Sequence, residues 1–163
     1  METKTKRMLT RSKRYKLVLL LILGLLASCD NRKVYDEYCH APIKGWEKND
    51  YLSFSIPKLQ EGGDYTLQLE MRTDNLFPFM SVVLIVDQKI MPAGKVHSDT
   101  IKCGITDERG NTLGKGVNIY QHSFAIGDRH LNKGDSLYIT VRHDMKREML
   151  PGVSDVGIAL SRR

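Results

Sequence analysis

The residue whose type and position specify chemistry most directly is Cys29, which closes the stretch Leu26-Ala27-Ser28-Cys29. A thiol behind two small side chains has the pattern of a lipobox. The signal peptidase that reads it works at the membrane surface and needs small residues beside the cut. The thiol must be free to form a thioether with a glyceride. What precedes it agrees. The first 16 residues carry seven bases against one acid, Glu2, and an apolar run of ten, Leu17 to Leu26, follows. A basic head, an apolar stretch of roughly 7–15 residues and a small-residue cleavage site make an export signal. A spanning helix would need about 20 apolar residues. Residues 1–28 are therefore expected to be a cleaved signal peptide. Cys29 becomes the lipid-bearing first residue, 29–34 a tether and 35–163 a single domain.

Other residues with chemical potential do not assemble into motifs. His40, His97, His122, His130 and His143 show no zinc spacing on one element. Gly110-Asn111-Thr112-Leu113-Gly114-Lys115-Gly116 lacks the spacing of a phosphate loop and its Ser/Thr after the lysine. Its glycines are expected to let the chain cross between sheets. There is no GxSxG nucleophile elbow, no carboxylate pair set up for acid–base work and no calcium loop of the EF-hand type. The sequence thus gives no support to an enzyme, a metal or a cofactor. Cys39 and Cys103 are left once Cys29 carries lipid, and an envelope compartment permits a disulfide between them. Two free, partly buried thiols are the alternative. Tyr35, Tyr38, Trp46, Phe77 and Phe79 are candidates for an aromatic platform that would bind a glycan. For Trp46 the other reading is a plug at one end of the core.

Charge excludes a further class. The whole chain carries +6, but residues 1–28 hold seven bases and one acid, so 18 bases and 18 acids remain in the 135 residues that follow. The basic balance belongs to the export signal and gives no support to nucleic-acid binding, which needs basic residues clustered on the folded domain.

The elements that must position these residues read as strands. Apolar residues alternate in 51–56, 64–72 and 136–143, and β-branched or aromatic content marks 117–126 and 156–160. Residues 51–56 and 64–72 are expected to form a hairpin across Gly62-Gly63, glycines that supply positive φ. The near-continuous apolar run 80–87 fits a strand buried on both faces or at a sheet's middle, and the polar run 97–103 fits an edge. Asp144 to Leu150 has the charge pattern of one helical turn. Seven or eight strands, broken about every ten residues by turn signals, predict an all-β antiparallel sandwich with a jelly-roll-like topology.

Several stretches resemble the gliding motility lipoproteins of the GldH family. They are Cys29-Asp30, Val34-Tyr35-Asp36-Glu37-Tyr38, Trp46, the run 110–116 followed by Ile119-Tyr120, and Met149-Leu150-Pro151-Gly152-Val153-Ser154-Asp155-Val156-Gly157-Ile158. The resemblance implies a Bacteroidetes envelope lipoprotein with no established enzymatic activity. Its partners would be envelope proteins of a motility assembly tied to type IX secretion. Only Cys29 carries over as a functional position. Surface-exposed lipoproteins of that phylum tend to have acidic clusters after the cysteine. Asp30-Asn31-Arg32-Lys33 is mixed, which leans towards an outer-membrane anchor facing the periplasm.

Overall fold

The computed structural model describes residues 32–163, so Cys29 and the export signal lie outside the described residues. Within them the chain forms β1 (Lys33–His40), β2 (Trp46–Glu47), β3 (Leu52–Ile56), β4 (Gly63–Asp74), β5 (Ser81–Met91), β6 (Lys95–Gly104), β7 (Lys115–Gly116), β8 (Ile119–Leu131), β9 (Ser136–His143), β10 (Met149–Leu150) and β11 (Val153–Arg162). All pairings are antiparallel. One sheet runs β1-β11-β4-β8-β7 and the other β3-β9-β5-β6, with β2 and β10 as a separate ribbon. Setting aside the two-residue strands β2, β7 and β10 leaves eight. Numbered along the chain, their orders are 1-8-3-6 and 2-7-4-5, the two interlocked Greek keys of a jelly roll. The expected fold class is the observed one.

Alternation builds the core. In β4, Tyr65, Leu67, Leu69 and Met71 point inward and are buried, while Thr66, Gln68, Glu70 and Arg72 face out. Val82, Leu84 and Val86 from β5 and Leu137, Ile139 and Val141 from β9 meet them from the other sheet. Burying a Leu, Ile or Val side chain is worth about 1.5–3 kcal/mol. These inner faces therefore hold the two sheets together and fix each strand's register, since a one-residue slip would turn the apolar set outward.

Two expectations need correcting and two are refined. β3 and β4 are not a hairpin. β3 pairs with β9 in one sheet and β4 with β11 and β8 in the other, so the turn through Gly62-Gly63 carries the chain between sheets. β5 is central, as its composition suggests, but only one of its faces is fully buried. Residues 144–150 form a bend and β10 instead of a helical turn. The tether is shorter than 29–34, because β1 takes in Lys33 and Arg162 N–H donates to the Arg32 carbonyl at 2.8 Å. Other readings hold. β6 is an edge strand, and residues 105–114 carry the chain from one sheet to the other.

Candidate functional site

The pairings define two ends. Lys33, Ile56, Gly63, Lys95, Leu131 and Arg162 lie at the end where the described chain begins, here called the base. His40, Leu52, Asp74, Gly104, Ile119, His143 and Asp155 lie at the opposite end, the tip. Eleven steps of about 3.3 Å along β4 separate them by about 36 Å.

The tip is closed by Trp46, which is fully buried. Its indole N–H donates to the Asp50 carbonyl at 2.9 Å, and its own carbonyl accepts from His143 Nε2 at 3.0 Å. The two rings meet edge to face with centroids 5.3 Å apart. Lys48 adds a bond to the Met145 carbonyl at 3.0 Å and an ion pair with Asp144 at 3.3 Å. These contacts fasten segment 41–51 onto the end of β9 and set β2 beside β10. Gly45 (φ +117°) lets Met149 lie across the chain, where a Cβ would meet the Met149 side chain at 2.7 Å. The result is an open groove of about 420 Å³ lined by Pro42, Ile43, Lys44, Gly45, Glu47, Asp50 and Met149.

A second set of loops joins this groove. Gly152 (φ +77°) packs so closely on the next loop that a Cβ there would lie 2.3 Å from Phe77 N. Asp74 N–H donates to the Gly152 carbonyl at 2.9 Å. The turn is locked to 74–77, and Leu76 is left exposed beyond it. Met80, Leu113, Val117 and Ile119 are exposed in the neighbouring loops and at the start of β8. Together with Ile43 and Met149, these apolar side chains all face solvent at the tip. Isolated exposed apolar residues are ordinary on a protein surface. Their concentration at one end is a feature of the topology.

The residues singled out from sequence do not converge. Tyr35 is buried between the sheets, its hydroxyl donating to Glu37 at 2.9 Å. Tyr38 lies on the outer face of the first sheet, flat on Gly157, where a Cβ would come within 2.7 Å of the ring. Arg72 stacks over it at 4.0 Å, and its hydroxyl donates to Glu70. Burial and that carboxylate push the phenol up to about 12. Phe77 and Phe79 pair edge to face, 5.8 Å apart, half-buried against the core. Apart from the Phe77–Phe79 pair the rings occupy separate places, and the five form no common platform. Trp46 takes its other reading, as a plug. The disulfide is not formed either, and both cysteines are free. Cys39 Sγ faces the Ser53 carbonyl of β3 at 3.5 Å, whereas Cys103 is on β6, three strand spacings further across the sheet. At about 4.8 Å per spacing that is roughly 14 Å, far beyond the span of a disulfide. Among the described residues no group of three or more His, Cys, Asp or Glu side chains converges as a metal site.

His143 and His122 are structural. His122 stacks on Phe124 with planes 4° apart and shares a 3.1 Å hydrogen bond with Thr73 Oγ1. Burial lowers the pKa of both histidines below 6.5, in His143 against the raising effect of its bond to Trp46. A histidine with a depressed folded pKa takes up protons more readily when unfolded. Its stabilising contribution is therefore present above pH 6.5 and lost as pH falls below it. Unfolding free energies from urea titrations between pH 7.5 and 5 should fall below pH 6.5, by at most about 1.4 kcal/mol per pH unit for each histidine. His143→Gln should flatten that slope.

The fold and its ends define a class: a jelly-roll domain whose exposed apolar groups lie mostly, though not all, at the end opposite its point of entry, Val34, Met91 and Val96 being at the base. The sequence model of the GldH lipoprotein family matches residues 33–160, nearly all of this unit. The chain belongs to that family. It is 26% identical over 153 residues to the gliding motility lipoprotein GldH of Flavobacterium johnsoniae, covering 90% of this chain and 95% of the relative. A GldH homolog of Christiangramia forsetii is 26% identical over 154 residues, 89% and 93% of the two chains. Among solved structures, a carbohydrate-binding module specific for non-crystalline cellulose superposes with a TM-score of 0.44 at 12% identity, over 78% of this chain and 73% of that one. A family 35 carbohydrate-binding module from Clostridium thermocellum gives 0.40 at 14%, over 80% and 93%. These likenesses are too loose to bear on what this chain binds.

Proposed function

We propose that this protein is a lipid-anchored envelope component that works by binding other envelope proteins through the tip, within a motility- or type IX secretion-associated assembly, and not by catalysis. Cys29 carries the lipid, and the outer membrane facing the periplasm is the proposed site. The observation that carries the reading is the family match from residue 33 to residue 160, which begins four residues after the lipobox cysteine. The layout of the domain supports it. A tethered domain meets its neighbours at high effective concentration, and the tip, about 36 Å from the base, is the end best placed to reach them. Exposed aliphatic and Met side chains there offer dehydratable apolar area.

Gene replacement tests this. A strain carrying Ile43→Asp with Leu76→Asp should lose surface spreading and envelope-protein secretion to the level of the deletion. Both residues are exposed, so stability should change by less than about 0.5 kcal/mol. A buried charge at an interface anchor costs binding about 2 kcal/mol or more, roughly 30-fold. Val96→Ser, at the exposed base end of β6 and without change of charge, should behave as wild type. Full function in the double variant would refute binding through the tip.

A further inference from the structure

The base differs from the tip in charge. Each of its three turns carries an exposed lysine: Lys58 between β3 and β4, Lys133 between β8 and β9, and Lys95 just after the Pro92-Ala93-Gly94 turn. Arg32, Lys33, Arg162 and Arg163 stand at the same end, where both termini of the described chain meet. These seven bases outnumber the four acids there, two of which are ion-paired with arginines and two hydrogen-bonded to His130 and to a backbone N–H. Glu61 pairs with Arg162, Asp128 with Arg163, Asp64 with His130 at 2.8 Å, and Asp135 accepts from Asn132 N–H. Among the described residues, Lys58, Lys95 and Lys133 make no ion pair. The segment from residue 29 onward is formally neutral, with 18 bases and 18 acids, so this excess is local to one end.

From that placement we infer that the base is a docking surface for the anionic headgroups of the bilayer that holds the lipid, with Lys58, Lys95 and Lys133 as its three feet. The inference rests on the proposed lipid anchor at Cys29 and adds the orientation it imposes. Lys33 comes four positions after Cys29, a reach of at most about 14 Å. The base therefore cannot leave the headgroup region, and lysine side chains on its turns come within a Debye length, about 8 Å at physiological salt, of the phosphates. The charges of the tip, about 36 Å further along β4, lie beyond screening range. Lipid tether and basic turns together hold the long axis upright and present the tip to the compartment.

The test is amine acetylation of the mature lipoprotein reconstituted in vesicles of phosphatidylcholine with or without phosphatidylglycerol, read peptide by peptide. Lys58, Lys95 and Lys133 should be protected severalfold in the anionic vesicles, and high salt should reverse this. Lys44, in the tip groove, should label equally in both. Equal labelling of base and tip lysines in anionic vesicles would overturn the inference. The same digest reports the mass of the N-terminal peptide, so an unlipidated Cys29 would count against the anchor separately. A second arm adds the unlipidated chain from residue 30 onward, which contains the whole described core, to the same vesicles. Each lysine near an anionic surface should strengthen binding about fivefold, so Lys58→Glu/Lys95→Glu/Lys133→Glu should abolish sedimentation with phosphatidylglycerol vesicles. Salt-insensitive binding that the triple variant retains would also overturn it.

Discussion

Cys29→Ala is expected to move the protein from the membrane fraction to the soluble fraction almost completely while leaving the sandwich folded. The two halves of that result have separate causes. In the proposed arrangement membrane retention follows from acyl chains on Cys29, each buried CH₂ contributing about 0.8 kcal/mol. A single myristoyl chain binds only marginally, whereas two chains anchor stably. Removing the thiol removes every chain attached through it, so the change is close to all-or-none. The fold is independent of it, because the buried apolar residues described here lie between Tyr35 and Leu160. Fractionation of cells, with labelled palmitate to follow the acyl chain, checks the first half. An unchanged thermal transition of the released protein checks the second. Three basic turn lysines would hold the released form only weakly and reversibly, so a salt wash should complete its release.

Trp46→Ala is the second large effect, and it acts on stability. Trp46 is fully buried; its indole N–H bonds to Asp50 within segment 41–51, and its carbonyl and ring both meet His143 at the end of β9. Truncating a buried Trp to Ala costs about 3–5 kcal/mol through lost transfer energy and the cavity left behind. Against the 5–15 kcal/mol typical of a domain, that is a large share. For a unit of this size Tm should drop on the order of 10–20 °C. Trp46→Phe separates the causes. It keeps most of the ring and loses the bond to Asp50, and should cost about 2 kcal/mol or less. The damage should spread to the tip, since segment 41–51 loses the ring's packing on His143 and its internal bond to Asp50, leaving the carbonyl bond to His143 and the Lys48 contacts to hold it on β9. If the two variants were equally destabilised, the hydrogen bond and not the packing would be the dominant tie.

The strands were legible where alternation is clean. Ser136–His143 ends where its pattern ends, and Gly63–Asp74 needs only a few residues added at its margins. β1 was not legible as a strand because its inward set mixes Tyr35, Glu37 and Cys39, so the period of two carries no apolar signal. The β3–β4 hairpin failed for a different reason. Two glycines show that a chain turns, but they do not determine which sheet receives the next strand. The aromatic platform failed because residue type does not reveal facing. Tyr35 and Tyr38 are three apart on a strand, and an odd spacing sends them to opposite faces.

The tip was the least legible part. Ile43, Leu76 and Val117 fall in three loops and Met149 in the two-residue β10, separated by up to 106 positions, and each alone reads as an incidental apolar residue among turn formers. A weak signal existed in their setting. Ile43 stands between Pro42 and Lys44, and Val117 follows Gly116, places where a buried side chain has no regular element to seat it. Only the jelly-roll crossings gather them.

The central claim, that the domain binds protein partners through the end opposite its anchor, is tested most directly by photo-crosslinking in living cells from Ile43 and Leu76, with Val96 at the base as the comparison. The account predicts discrete protein adducts from both tip positions and none from Val96. Adducts of equal yield from Val96, or none from the tip, would contradict it.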